Sequence, residues 1–287
     1  MHSRLFPLLF RSALFFLLII LTSSVTAGTR DPNTPDEQYV EFGKQFPCIT
    51  LIKVFGACGK PGCKIKEHEQ FGSAVIIREN WVLTAAHVVA GTRNPVVIND
   101  SGEKFPLQQI IIHGEFDADT IGYHDLALGY SPKDFNLKFY CPLQRDDDEL
   151  GKAATIAGYG LSGTFNTGAA NYDGKKRAGH NKIDSKEHAV LVCSPSVGRG
   201  RLPLEFMITP GDSGGGMFIG NNLAGINSFL MAADKKPDGS YGDESAFTRI
   251  SVYVDWIERQ IEEYELALRA QSTTGALIAK DEATSLH

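Results

Sequence analysis

Short runs of β-branched and apolar residues, each closed off by glycine, proline or other turn residues, recur along most of this chain: 50–55, 74–77, 81–84, 95–98, 109–112, 153–157, 189–193, 217–219 and 223–229. Helical segments need apolar positions every three or four residues over longer spans. Many short strands with few helical stretches between them specify an all-β sandwich or barrel. One segment has the other period: Val254, Ile257, Ile261, Tyr264 and Leu268 fall at helical spacing through 251–270, which predicts a closing helix. From Ser272 onward the residues are small and polar and read as a flexible tail, 272–287. The stretch 28–47 reads as an N-terminal arm, extended over its polar, proline-bearing first part.

The first 27 residues have the layout of an export signal: a positive flank of Arg4 and Arg11, an apolar run over 12–21, and the small-residue cleavage site Val25-Thr26-Ala27. An apolar core of about ten residues is half of the ~20 a spanning helix needs, so a cleaved leader and a secreted or periplasmic product are expected, with no membrane attachment afterwards. Without Arg4 and Arg11 the chain keeps 26 basic against 34 acidic residues, a net charge of −8. An acidic balance of that size argues against nucleic acid or anionic lipid as a main partner. Export permits disulfides. Cys58 and Cys63 can close a small hairpin and Cys141 can pair with Cys193, leaving Cys48 free or bridging chains. A zinc site on Cys58, Cys63 and His68 is the less favoured alternative, because a second ligand pair is missing. The run Gln144-Arg-Asp-Asp-Asp-Glu149 lacks calcium-loop spacing and reads as a solvated linker.

Chemistry concentrates in three places. Gly211-Asp212-Ser213-Gly214-Gly215-Gly216 frames a serine with glycines. A serine hydroxyl is a poor nucleophile until a base removes its proton, and Thr84-Ala85-Ala86-His87 offers that base where a β-branched strand runs into small alanines. Asp125, ahead of apolar Leu126-Ala127-Leu128, offers a carboxylate at the start of a buried strand to hold the imidazole in one tautomer. Asp117 and Asp119 are rivals in a looser stretch, and His124 is a neighbouring imidazole. The backbone N–H groups of Gly211 and Ser213 are the candidate oxyanion donors, each such donor being worth ~10²–10³ in rate.

The order His, Asp, Ser and these motifs resemble the trypsin-like, chymotrypsin-fold serine proteases, from roughly Cys48 to Glu263. The resemblance implies two six-stranded antiparallel β-barrels side by side with a C-terminal helix. It places one protease domain at 48–271 with the barrel boundary near 140–152. It also implies a secreted serine endopeptidase of bacterial type, acting on protein or peptide substrates through His87, Asp125 and Ser213, as a monomer and with no metal or organic cofactor. In that family the aspartate before the nucleophile, here Asp212, pairs with a newly freed N-terminal amine. No basic residue followed by Ile-Val-Gly-Gly precedes the first barrel here, so either an amine at Gly28 or a side chain must serve. Two common family cysteines are replaced by Val88 and Thr209. By the same resemblance Met207 falls at the base of the specificity pocket, Ser228 and Phe229 on the substrate-pairing strand, and Leu230 and Ser245 on the pocket walls. A methionine base favours cleavage after small or medium apolar residues, although a one-residue shift brings Asp243 or Glu244 into the pocket. A non-catalytic binding protein on this fold and an esterase with the same triad are the alternatives.

Overall fold

The computed structural model describes residues 28–57, 67–119 and 122–284. The leader expected over 1–27 and the Cys58–Cys63 hairpin lie outside the described residues. Two seven-stranded antiparallel sheets form the body. In spatial order the first runs Lys104–Pro106, Arg93–Ile98, Ile49–Ala57, Glu67–Arg78, Trp81–Thr84, Ala127–Tyr130 and Gln109–Ile112. The second runs Arg177–Lys182, Ala153–Gly158, Gly216–Ile219, Asn222–Ala232, Asp243–Arg249, Val190–Cys193 and Ser185–Glu187. Each is a curled half-barrel with one strand more than the expected six. The outermost strands Lys104–Pro106 and Ser185–Glu187 are only three residues long, too short to show an alternating strand pattern.

Each sheet closes on its own apolar interior. Ile52, Ile76, Val82, Val97 and Phe105 fill the first, and Ile156, Leu191, Phe206, Met217 and Phe247 the second. A third cluster, including Ile49, Trp81, Leu83, Ala157, Phe218 and Ile257, joins the two halves. The expected C-terminal helix forms, with Ile257 and Ile261 wholly buried. It packs on the first sheet: Trp81 lies edge-on to Tyr264 at 5.4 Å and its indole N–H donates to Glu265 at 3.1 Å. The helix runs on to Thr284, through the segment read as a tail, whose alanines, leucine, lysine and glutamate favour helix.

The arm is not simply extended. Gly28–Arg30 is a strand inserted between Ser162–Thr164, to which it is parallel, and Phe206–Met207. Asp36–Gly43 is a helix that starts after Pro35. Asp36 receives both Nε and Nη2 of the fully buried Arg177 at 2.8 Å, and Asp173 takes the same guanidinium at 3.1 and 2.9 Å. Burial disfavours the Arg177 charge, but the two carboxylates outweigh it and raise its pKa. Two-fork pairing satisfies a charge that would otherwise be prohibitive in the interior.

The connection between the sheets is anchored as well. Glu149, in the run read as a solvated linker, is fully buried and accepts Arg249 Nε at 2.8 Å and Nη2 at 2.9 Å, and Ser251 Oγ at 2.8 Å. The cysteines lie differently from the expectation, and Cys48, Cys141 and Cys193 are all free thiols. Cys141 Sγ lies 3.2 Å from Cys48, whereas Cys193 is buried in the second sheet's own core. Chain topology brings residue 48, at the mouth of its strand, against the inter-sheet connection.

Candidate active site

Strand pairing assembles the first two groups. Trp81–Thr84 and Ala127–Tyr130 are antiparallel neighbours with Thr84 opposite Ala127, so the residues just after one and just before the other emerge at the same edge. Ala85 and Ala86 are fully buried, and their small side chains let the chain turn at once into the short helix Ala86–Val89, which carries His87. Leu126, Ala127 and Leu128, all fully buried, pin Asp125 at the start of the opposing strand. His87 N–H donates to Asp125 Oδ1 at 2.9 Å, and His87 Nδ1 lies 2.8 Å from Oδ2. Of the rivals, Asp117 takes the N–H of Asp119 and stays on the rim, and His124 turns to the Tyr253 hydroxyl at 3.1 Å. The 3% exposed Asp125 is therefore the carboxylate on His87.

Residues 209–212 make a turn in which Asp212 N–H donates to Thr209 O at 2.9 Å, with Pro210 and then Gly211 at φ +97° in the middle. Proline followed by a positive-φ glycine is the chemistry of a type II turn, so the loop is shaped by its own residues. A Cβ on Gly211 would come within 2.4 Å of the Phe71 ring. Among the described residues neither Gly211 N–H nor Ser213 N–H has an acceptor, which leaves both free for an anionic oxygen. Ser213 O accepts Ser73 N–H at 2.8 Å and so ties the turn to the first sheet.

Ser228 links the two sides. Ser213 Oγ donates to Ser228 O at 3.3 Å rather than to His87, and Ser228 Oγ donates to Asp125 Oδ2. A long nucleophile contact is common before substrate binds. Two adjoining cavities share Ser228 and Phe229: one is lined by His87, Asp125, Phe116 and Gly122, the other by Ser213, Ile208, Thr209, Pro210, Leu230 and Pro237. The second holds about 290 Å³.

The structure brings His87, Asp125, Ser213, Gly211, Ser228, Phe229 and Leu230 to this cleft. It does not bring Met207 and Ser245 to the pocket lining. Both are fully buried and bonded to each other, Ser245 Oγ to Met207 sulfur at 3.3 Å, and Ser245 also accepts Ile208 N–H at 3.2 Å. Asp243 is turned away, taking the N–H of Gly239 at 2.8 Å. Ser228's hydroxyl contact with Asp125 and Thr209's with Asp212 were not expected from sequence. A small polar residue at each position was the only trace.

Electrostatics separates the two carboxylates. Burial pushes the Asp125 carboxyl up, but His87 and then Ser228 more than offset this and hold it below the usual range. Asp212 is fully buried and burial raises its pKa to about 6, although Gly160 N–H, Thr209 N–H and Thr209 Oγ1 approach it at 2.7, 2.9 and 3.0 Å. No amine contacts it among the described residues, since Gly28 N–H goes to Leu161 O at 2.6 Å.

Known proteins carry the same plan. The family model described as Trypsin matches residues 45–257. Rat chymase is 26% identical, with 88% of this chain and 98% of that protein covered, and human chymotrypsin-like elastase family member 1 is 28% identical over 65% and 79%. Human serine protease 56 is 24% identical over 65% of this chain, which spans about a third (34%) of that longer protein. Among solved structures, mouse neuropsin, a serine protease, shares the fold at TM-score 0.59 and 20% identity, covering 75% of this chain and 95% of that one. HL collagenase does so at TM-score 0.60 and 20% identity, covering 83% and 98%. Two curled β half-barrels with a cleft between them, together with a family match over residues 45–257, establish that this chain belongs to the trypsin family of serine proteases.

Proposed function

We propose that the chain is a secreted serine endopeptidase in which Ser213 is the nucleophile, His87 the general base and Asp125 the orienting carboxylate. The observation that carries this reading is the hydrogen-bonded series His87–Asp125–Ser228–Ser213 along one cleft. Ser213 Oγ attacks the scissile carbonyl while its proton passes to His87, and Asp125 stabilises the resulting imidazolium. The carbonyl oxygen becomes an oxyanion and accepts from Gly211 and Ser213 N–H. Return of the proton from His87 to the amine nitrogen breaks the C–N bond and leaves an acyl-enzyme. A water molecule, deprotonated by His87, then releases the acid and regenerates Ser213. No cofactor enters this scheme, and the enzyme acts as a monomer after its leader is removed at Ala27.

Cleavage after small or medium apolar residues is supported by the Ile208, Pro210, Leu230 and Pro237 lining, rather than by the buried Met207. Asp212 is met by two backbone amides and the Thr209 hydroxyl, so the oxyanion turn is competent without a freed N-terminal amine. A fluorophosphonate probe applied to the purified chain tests the reading: it labels the parent and spares Ser213→Ala. An unlabelled parent refutes it. A peptide-library profile dominated by cleavage after arginine or lysine refutes the apolar pocket.

A further inference from the structure

The loop between strand Gln109–Ile112 and Asp125 carries His113, Glu115 and His124, and brings one ligand atom of each within 4.8 Å of the others. The two imidazole rings lie nearly parallel, 13° apart with centroids at 4.8 Å, and His124 Nδ1 is 3.8 Å from Glu115 Oε2. Both rings are half-buried against Tyr253, and Trp256 lies 4.9 Å from His113. The Tyr253 hydroxyl stands 3.1 Å from His124 Nδ1. His124 adopts φ +55°, a left-handed backbone that histidine takes up more readily than most residues with a side chain, and its N–H donates to the Tyr253 hydroxyl at 3.2 Å. Ring stacking accounts for the histidine pair but not for the carboxylate beside it.

We propose that His113, Glu115 and His124 form a site for a zinc-type divalent cation, and that its occupation slows turnover by displacing Asp125. The second half rests on the catalytic reading above. Two imidazoles and one carboxylate suit zinc, nickel or copper rather than magnesium or calcium, and leave a fourth position for water. In a tetrahedral site with bonds of about 2.1 Å the ligand atoms stand about 3.4 Å apart, so small side-chain rotations close the present spacing. The metal takes a lone pair from each ligand, and any imidazole proton leaves to solvent. His124 O accepts Leu126 N–H at 2.8 Å across Asp125, so movement of His124 is passed directly to the residue that holds His87.

The test is calorimetric titration of chelator-stripped full chain, as Ser213→Ala, with zinc chloride. One saturable site is expected, weakened by more than about tenfold in Glu115→Gln, His113→Gln and His124→Asn, the asparagine being tolerant of positive φ. Glu115 is exposed, so its variant folds irrespective of the other two. In the active chain zinc is expected to slow peptide hydrolysis, while His113→Gln keeps its basal rate and resists the metal. Variants that titrate like the parent overturn the site. Saturation without slowing, or equal slowing of His113→Gln, overturns control through Asp125. A chain with no turnover refutes the catalytic reading, and the titration still decides whether the metal site exists.

Discussion

Thr209→Val removes one hydroxyl from Asp212, the fully buried carboxylate next to Ser213, and its effect should depend on pH. In the parent, burial raises Asp212 from 3.8 to about 6, so the folded state favours the protonated form. That preference contributes stability below the unfolded value and is lost as pH rises from about 4 through about 6; the full loss is roughly 3 kcal/mol. A hydroxyl has one proton, and Thr209 Oγ1 faces both Leu161 O and Asp212 Oδ2. Below about pH 5 the carboxylic acid donates to Thr209, which donates to Leu161, and losing this neutral bond costs about 1 kcal/mol. Near pH ~8 the hydroxyl must serve the carboxylate itself, and losing a bond to a buried charge costs ~1.5–3 kcal/mol. Thermal melts of parent and variant at both pH values measure the difference. At ~2–4 °C per kcal/mol the melting point should fall by about 2–4 °C in acid and by about 3–12 °C in base. Equal losses at the two pH values would refute the idea that Thr209 supports the ionised carboxylate.

Other outcomes follow from the same contacts. Asp125→Asn keeps the shape but offers an amide N–H to a ring that must donate, and kcat should fall by ~10⁴ in a chromogenic peptide assay; a fall below tenfold would remove Asp125 from the mechanism. Arg177→Leu takes the buried partner from Asp36 and Asp173, leaving them Arg30 at 3.2 Å and Lys175 at 3.8 Å, and should destabilise by about 3 kcal/mol in urea unfolding, the low end for a broken buried pair. An unchanged midpoint would show that the arm is not held by this cluster. In oxidising buffer, the number of thiols that reduction adds to denatured protein should be two greater in the parent than in Cys48→Ser, whatever the state of Cys58 and Cys63; equal numbers would refute the Cys48–Cys141 pair.

How much of this was legible in the sequence varies with the range of the forces involved. Strands such as 81–84 and 223–229 and the helix around Ile257 announced themselves because local period and burial agree. Gly211 was legible because a positive φ and a nearby ring leave no alternative. The strand at Gly28 and the helix at Asp36 were hidden because their partners, Ser162, Phe206 and Arg177, lie more than a hundred residues away. Glu149 read as solvated for the same reason, since its neutralising Arg249 is distant in sequence. The family resemblance places Met207 along the chain but not the direction its side chain faces, which is into the core. The Cys48 and Cys141 contact required the whole path of the chain between them.

The two arms of the chain cross over. The segment beginning at Gly28 completes a sheet made from residues 162–171 and 206–207, whereas the last helix caps Trp81 and Tyr130 of the earlier half. During synthesis the early half can pair its own strands, yet it stays uncapped until the final helix emerges, and the arm has no place to dock until residue 207 has been made. Assembly of the cleft is thereby made a late, whole-chain event: a truncated product would hold many correct strands and no aligned Ser213, His87 and Asp125.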